Sequence, residues 1–305
     1  MALPLAKPPT KRENNRIRAA SRLSPAPQLL HLWHLASFDA PTVAVVWAFA
    51  FARTAGIHLQ PWIAPLLFSG TWSVYVGDRL LDAYRAVHSG QLGTLRERHY
   101  FHWRYRHNLI PLAACSAVVA AILIGHLMPL VIRERNSVLA AAALMYFSGV
   151  HSPSRLPACL RKAGLKELVV GILFTAGCVA PTISEMHFVA IRMKAVWPLF
   201  LCFAYFALLA WCNCRAIDKW ESASADNVIF LHAGLLTIAG MAISATLAFA
   251  HPNLCALAIS GTASSLLLLL LDRMRLRLSP LRLRVLADLV LLTPAVLLMF
   301  EAYSA

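Results

Sequence analysis

The stretch 71–85, TWSVYVGDRLLDAYR, ends a hydrophobic segment with Asp78 and Asp82, and 211–226, WCNCRAIDKWESASAD, ends another with Asn213, Asp218, Glu221 and Asp226. The 305-residue chain holds only 14 acidic residues against 28 Lys and Arg. A carboxylate beside a bilayer is costly, so acidic residues gathered at the ends of two apolar segments point to a site. Asp78 and Asp82 stand four apart and share one helix face. Asp218 and Glu221 stand three apart and do the same if the helix runs through them.

Working outward, composition decides the class. The chain is 59% hydrophobic, its mean hydropathy is +0.63 and only 14% of its residues are charged; soluble domains carry about 25%. Apolar runs of roughly 20 residues recur along the length, each able to cross the hydrocarbon core as a helix. The expected fold is all-α, a polytopic membrane protein with about nine transmembrane helices. They fall near 36–56, 61–83, 108–130, 137–152, 166–184, 194–215, 228–250, 252–272 and 284–303. Pro61, Pro198 and Pro252 lie near span starts, where a missing amide hydrogen costs least. Pro294 is interior to the last span, and a neighbouring helix or a kink has to absorb the carbonyl it frees. Residues 1–33 read as a basic, disordered cytoplasmic tail and 34–305 as the transmembrane domain. The tail has no hydrophobic core of a signal peptide, and its six basic residues suit anionic lipid.

The net charge of +14 is therefore read through the loops rather than as a sign of nucleic acid. All basic residues except Arg53, Arg133, Arg135, Arg192 and Lys194 fall on one alternating set of connections. That asymmetry puts this set, with the N-terminus, in the cytoplasm of a multi-pass cell (inner) membrane protein. The second and sixth spans then both run inward, which brings the two acidic clusters to the cytoplasmic face. Two facing carboxylate pairs make a hard, oxygen-rich pocket that suits magnesium completed by phosphate oxygens and water. Around them stand Arg79, Arg85, Arg155, Arg161, Lys162, Lys166 and Arg215. These can engage phosphate, although the positive-inside bias alone also accounts for them.

This arrangement resembles the UbiA superfamily of intramembrane prenyltransferases, which has nine helices and Asp-rich motifs at the cytoplasmic ends of its second and sixth. In the first motif, commonly written NDxxDxxxD, the stretch VYVGDRLLD keeps the last two aspartates as Asp78 and Asp82. Val74 replaces the Asn, and Tyr75 replaces the first Asp. Asp218 and Glu221 stand for the second motif, with Asn213 upstream and Asp226 downstream. Tyr146 and the run SPSRLPACLRKAGLKELVVGILFTAG look like the family's fourth-to-fifth helix region. The resemblance implies Mg2+ held by Asp78, Asp82, Asp218 and Glu221, and a substrate site formed by Arg79, Arg85, Tyr146, Arg155, Lys162, Lys166, Asn213 and Arg215. The partners it implies are an isoprenoid diphosphate donor and a lipophilic, often aromatic, acceptor in the lipid bilayer, with no nucleic acid. Alternatives are a terpene cyclase of the same type, or a non-catalytic membrane protein that binds or transports lipid. A transporter usually shows polar or broken helices at mid-depth; here the polar chemistry gathers at one face.

Residues 96–107, RERHYFHWRYRH, read equally as an amphipathic cap over the site or as an interfacial aromatic belt. His99 and His102 have metal-pair spacing without a neighbouring Cys or carboxylate cluster. Asp39 reads as a helix cap ahead of Pro41. Asp272 and Asp288 read as partners of the arginines in 273–284. The seven Cys read as small apolar fillers.

Overall fold

The computed structural model describes residues 25–89, 96–150, 165–186, 196–222 and 227–302. Every regular element among them is helical: α1 Pro25–Leu35, α2 Asp39–Thr54, α3 Ile63–His88, α4 Glu97–Arg104, α5 Arg106–Leu127, α6 Leu130–Val150, α7 Leu165–Met186, α8 Val196–Glu221, α9 Val228–Leu247, α10 Pro252–Arg273, α11 Pro280–Leu289, a 3-10 turn at Val290–Leu292 and α12 Ala295–Ala302. Among the described residues helix is present from Pro25 onward, inside the segment read as tail, and the described part of each expected span is mainly helical.

Among the described residues, five helices are long and apolar enough to cross a membrane: α5, α7, α8 from Trp197, α9 and α10. A sixth span exists if Leu29–Leu35 and Asp39–Thr54, bent by 89°, are one. The other expected segments fall short for local reasons. α2 has only 16 residues, and polar Ser69, Thr71 and Ser73 precede Asp78 and Arg79 in α3. Arg133, Glu134 and Arg135 occupy the first turns of α6, and the last segment breaks at Pro294. The apolar side chains of α5 and α9, among them Ile110, Val118, Leu231 and Ile238, face outward. A helix that is apolar all round and still exposed needs lipid around it, as a multi-pass membrane protein provides.

The core is centred on α2 and α8. Trp47 stacks on Phe206 with ring centroids 3.8 Å apart, and Phe51 meets Phe203 edge-on at 4.9 Å. Trp47 Nε1 donates to Leu291 O at 2.8 Å, which ties α2 to the 3-10 turn. α7 and α8 approach closely because residue 171 is glycine: a Cβ there would come within 2.8 Å of Ala207 O and Trp211 N. Small residues at such crossings let backbones pack without lipid between them.

The carbonyl that Pro294 frees is Val290 O, and α10 supplies its donor: Ser264 Oγ lies 2.7 Å from it. Thr293 Oγ1 donates to Ser260 O at 2.7 Å, completing a polar seam between α10 and the broken last segment. The sharp corner between α1 and α2 turns on Ser37, whose φ of 64° is left-handed and costly for a non-glycine residue. Two side chains hold it there. Arg79 Nη1 donates to Ser37 Oγ at 2.5 Å, and Ser37 Oγ donates to His102 Nε2 at 3.1 Å. His102 Nδ1 in turn donates to Arg98 O at 2.8 Å, which fixes the tautomer.

Candidate functional site

α3, α7 and α8 converge at the end of the bundle where α2 begins and α11 passes, and α4 packs across them. The space between is a cavity of about 260 Å3. Arg79, Arg96, Arg98 and Lys166 line it together with Asp39, Glu167, Asp218 and Asp288. Apolar lining comes from Val43, Val170, Phe174 and Leu291, one or two turns along the chain from Asp39, Lys166 and Asp288. Tyr75, Asn213 and Cys214 complete the lining.

Helical register explains which residues arrive there. The buried face of α3 is Trp72, Val76, Arg79 and Ala83, a stripe with spacing 4, 3, 4. Arg79 rides on that stripe and is only 5% exposed. Asp78 and Asp82 share a neighbouring face, as their spacing requires, but neither lines the cavity. On α8 the lining residues are Ala210, Asn213, Cys214, Ile217 and Asp218, again one face.

The two acidic clusters are brought toward one segment, the start of α4, without forming one centre. His99 Nε2 lies 3.8 Å from Asp82 Oδ2. Arg96 Nη2 lies 3.8 Å from Asp218 Oδ1, and Arg96 Nη1 also contacts Glu221. The other oxygen of Glu221 contacts Arg284. Among the described residues, Asp78, Asp82, Asp218 and Glu221 do not make a group of three or more whose ligand atoms lie within 4.8 Å of one another. The four carboxylates expected to hold magnesium are therefore not gathered within that distance in this arrangement. The physical reason is that Glu221 is held by two guanidinium groups, while Asp218 is the member of the set that faces the cavity.

The expected substrate residues divide as well. Arg79, Lys166 and Asn213 line the cavity. Tyr146 sits beside it on α6, donating through Oη to Lys166 O at 3.4 Å. Arg85 is exposed at the end of α3, outside the lining. Arg215 also lies off the lining face and acts electrostatically on His232 of α9. Arg155, Arg161, Lys162 and Asp226 lie outside the described residues.

α4 has the placement of a cap, not only of an interfacial belt. Arg96 and Arg98 enter the cavity lining, while Trp103 receives the Arg106 guanidinium at 4.4 Å from its ring centre. Arg98 Nε is shut off from solvent and has no hydrogen-bond partner among the described residues. Burial and the neighbouring Arg79 and Arg96 lower the Arg98 guanidinium to about 10. Burial, then Arg98 and Arg79, lower His99 to about 3. Burial also takes His102 down to about 4, with Arg79 and Arg98 adding to it against the helping bond to Arg98 O. His99 and His102 do not form a metal pair: the first faces Asp82 and the second faces Ser37.

His34, Asp39 and Asp288 were not expected at the site, while Arg96 and Arg98 reach it as part of the segment read as a cap or a belt. Asp39 does open a helix, with Oδ1 accepting from Ala40 N at 2.9 Å, yet it is only 2% exposed and its Oδ2 faces His34 Nδ1 at 2.7 Å. Arg79 Nη2 stands 3.7 Å from the same oxygen. Asp288 turns away from the loop arginines: Oδ2 lies 3.2 Å from His34 Nδ1 and Oδ1 accepts from Asn213 Nδ2 at 3.3 Å. Asp272 behaves as expected, pairing with Arg275 at 3.3 Å, and it also accepts from Trp220 Nε1 at 2.8 Å. The signal for Asp39 and Asp288 was present as two carboxylates at the ends of apolar segments, the same signal that singled out Asp78 and Asp218.

No protein-family model, curated protein or solved structure matches the chain.

Proposed function

We propose that this protein is an intramembrane prenyltransferase of UbiA-like type that takes an isoprenoid diphosphate into the cavity and passes its prenyl group to a lipophilic acceptor. The carrying observation is the mixed lining of that cavity. Arg79, Arg96, Arg98 and Lys166 line it beside four carboxylates, and Val43, Val170, Phe174 and Leu291 add apolar surface. An amphiphile with a multiply anionic head and a hydrocarbon tail finds partners for both parts in one cavity. Within this reading nine helical segments cross the membrane, the N-terminus is cytoplasmic and the cavity opens to the cytoplasm, as the distribution of Lys and Arg favours.

The chemistry asked of these residues is stabilisation of a leaving group. When the bond between the allylic carbon and the diphosphate oxygen breaks, its electron pair goes to the diphosphate, and the converging cations hold that added charge. Arg98 is the best placed, since its buried Nε–H lacks a partner and an anionic oxygen would supply one. The apolar lining keeps water from the prenyl cation until the acceptor's carbon bonds to it and the adduct loses its proton to the departing diphosphate. Asp78, Asp82, Asp218 and Glu221, expected to hold magnesium, are not gathered for it; in this reading the ion travels with the diphosphate as part of the substrate.

The test is binding of geranylgeranyl diphosphate to the purified protein in detergent, with and without magnesium. Arg98→Gln is expected to weaken binding about 10- to 100-fold, the value of one or two charge-assisted hydrogen bonds. Affinity equal to that for geranylgeraniol, or indifference to Arg98→Gln, would sink the reading. Product analysis with a panel of aromatic acceptors then separates transfer from cyclisation.

A further inference from the structure

We infer that His34, Asp39 and Asp288 form a binding site for one divalent first-row transition metal ion, set into the wall of the cavity. One ligand atom from each of the three lies within 4.8 Å of the others. They come from α1, the first turn of α2 and α11, so the site is built by the tertiary fold and not by a local motif. It is distinct from the four carboxylates at the ends of α3 and α8.

Three features of the geometry point to an ion. The first is His34, which is 1% exposed. Its Nδ1 lies 2.7 Å from Asp39 Oδ2 and 3.2 Å from Asp288 Oδ2, in ion-pair range of both carboxylates, and its Nε2 has no hydrogen-bond partner among the described residues. An imidazole nitrogen set between two buried carboxylates can share a cation with them, and the unpartnered Nε2 is a buried polar atom that calls for a partner. The second is the way the carboxylates are aimed. Asp39 Oδ1 is fixed by Ala40 N at 2.9 Å and Asp288 Oδ1 by Asn213 Nδ2 at 3.3 Å. Both Oδ2 atoms are left facing His34, as outer hydrogen bonds orient metal-ligating carboxylates. The third is scale. Bonds of about 2.0–2.2 Å to N and O ligands place neighbouring ligand atoms roughly 3 Å apart, close to the separations found here.

The ligand set selects the ion. One nitrogen and two carboxylate oxygens suit manganese, iron or zinc better than magnesium, which prefers an all-oxygen shell that keeps several waters. Two carboxylates and a neutral imidazole balance a divalent charge, and Arg79, 3.7 Å from Asp39 Oδ2, is the protein cation beside them. Asp39 and Asp288 also line the cavity. The site therefore opens on the cavity through its two carboxylates. Three protein ligands with open positions are the pattern of a site that exchanges ligands, not of a closed structural one.

The test uses the full-length protein in detergent, stripped with chelator and titrated with Mn2+ alone, the free ion being followed by electron paramagnetic resonance. One Mn2+ per chain is expected, with nitrogen modulation from a single imidazole in the electron spin echo of the wild type. His34→Gln and Asp288→Asn are each expected to weaken binding at least about tenfold, while Asp78→Asn with Asp82→Asn leaves it unchanged. Absence of stoichiometric binding, an echo without nitrogen modulation, or loss of binding in the Asp78 and Asp82 variant instead would overturn the site. The echo is read on wild-type protein, so the outcome stands even if a variant fails to fold. No prenyl diphosphate is present, so this result and that of the diphosphate-binding experiment are independent.

Discussion

Glu221 meets Arg96 through one oxygen and Arg284 through the other, and its side chain and that of Arg284 are both buried. Removing one member of a buried pair leaves the other charge uncompensated, a loss of about 3–5 kcal/mol. Glu221→Gln strands buried Arg284 and leaves Arg96 only Asp218 among the described residues, and it is expected to lower the unfolding midpoint in detergent far more than Asp82→Asn. The double change of Glu221→Leu with Arg284→Met is expected to recover much of the loss. The α4 histidines make a second prediction at this scale. Their folded values, about 3 for His99 and about 4 for His102, lie below the value near 6.5 of an unfolded histidine. Below pH 6.5 the unfolded chain therefore binds more protons than the folded one, and stability falls as the pH drops toward 4. Thermal unfolding from pH 7.5 to 4.5 should show that slope, and His102→Gln should flatten it. An unchanged slope would mean that other groups carry the acid sensitivity.

Helix-to-helix contacts carry their own expectations. Gly171→Val drives a side chain into Ala207 O and Trp211 N, backbone atoms that cannot yield. α7 must then move away from α8, opening the cavity wall that includes Val170 and Phe174. The expected outcome is a drop of several degrees in the unfolding midpoint together with lost diphosphate binding. Ser264→Ala removes the donor that satisfies Val290 O, at a cost of about 1–2 kcal/mol. Chemical denaturation in mixed micelles measures it. Element positions were legible in the sequence because long apolar runs fix where helices lie, and Pro252 and Pro280 mark two starts directly. The need for a second donor at Pro294 was legible too; that Ser264 provides it was not, since the α10 contact is tertiary. Register was the harder part. Spacing puts Asp78 and Asp82 on one face, but only packing reveals that the inward face of α3 belongs to Trp72, Val76, Arg79 and Ala83. Asp39 and Asp288 looked local for the same reason: helix capping and loop pairing explain a lone carboxylate adequately until distant segments meet.

At the scale of the whole molecule, the basic loops and the cavity's charged lining predict a sidedness that cysteine labelling can read. Phe249 is 98% exposed in the connection between α9 and α10, and Leu276 is 94% exposed in that between α10 and α11. In intact cells and a cysteine-free background, Phe249→Cys is expected to react with an impermeant maleimide and Leu276→Cys only after permeabilisation. The reverse pattern would invert the topology, and labelling of both from outside would break the nine-span alternation.

The corner at Ser37 and the passage of α11 beside it have a further consequence, for synthesis. His34 and Asp39 leave the ribosome well before Asp288, and Trp47 likewise waits for Leu291, 244 residues later. Until α11 and the 3-10 turn arrive, the Trp47 indole lacks its acceptor and the His34–Asp39 pair lacks Asp288. A nascent chain stopped at Ser279 would leave that indole N–H unsatisfied within the bundle, a chemical mark of incompleteness that membrane quality control could read.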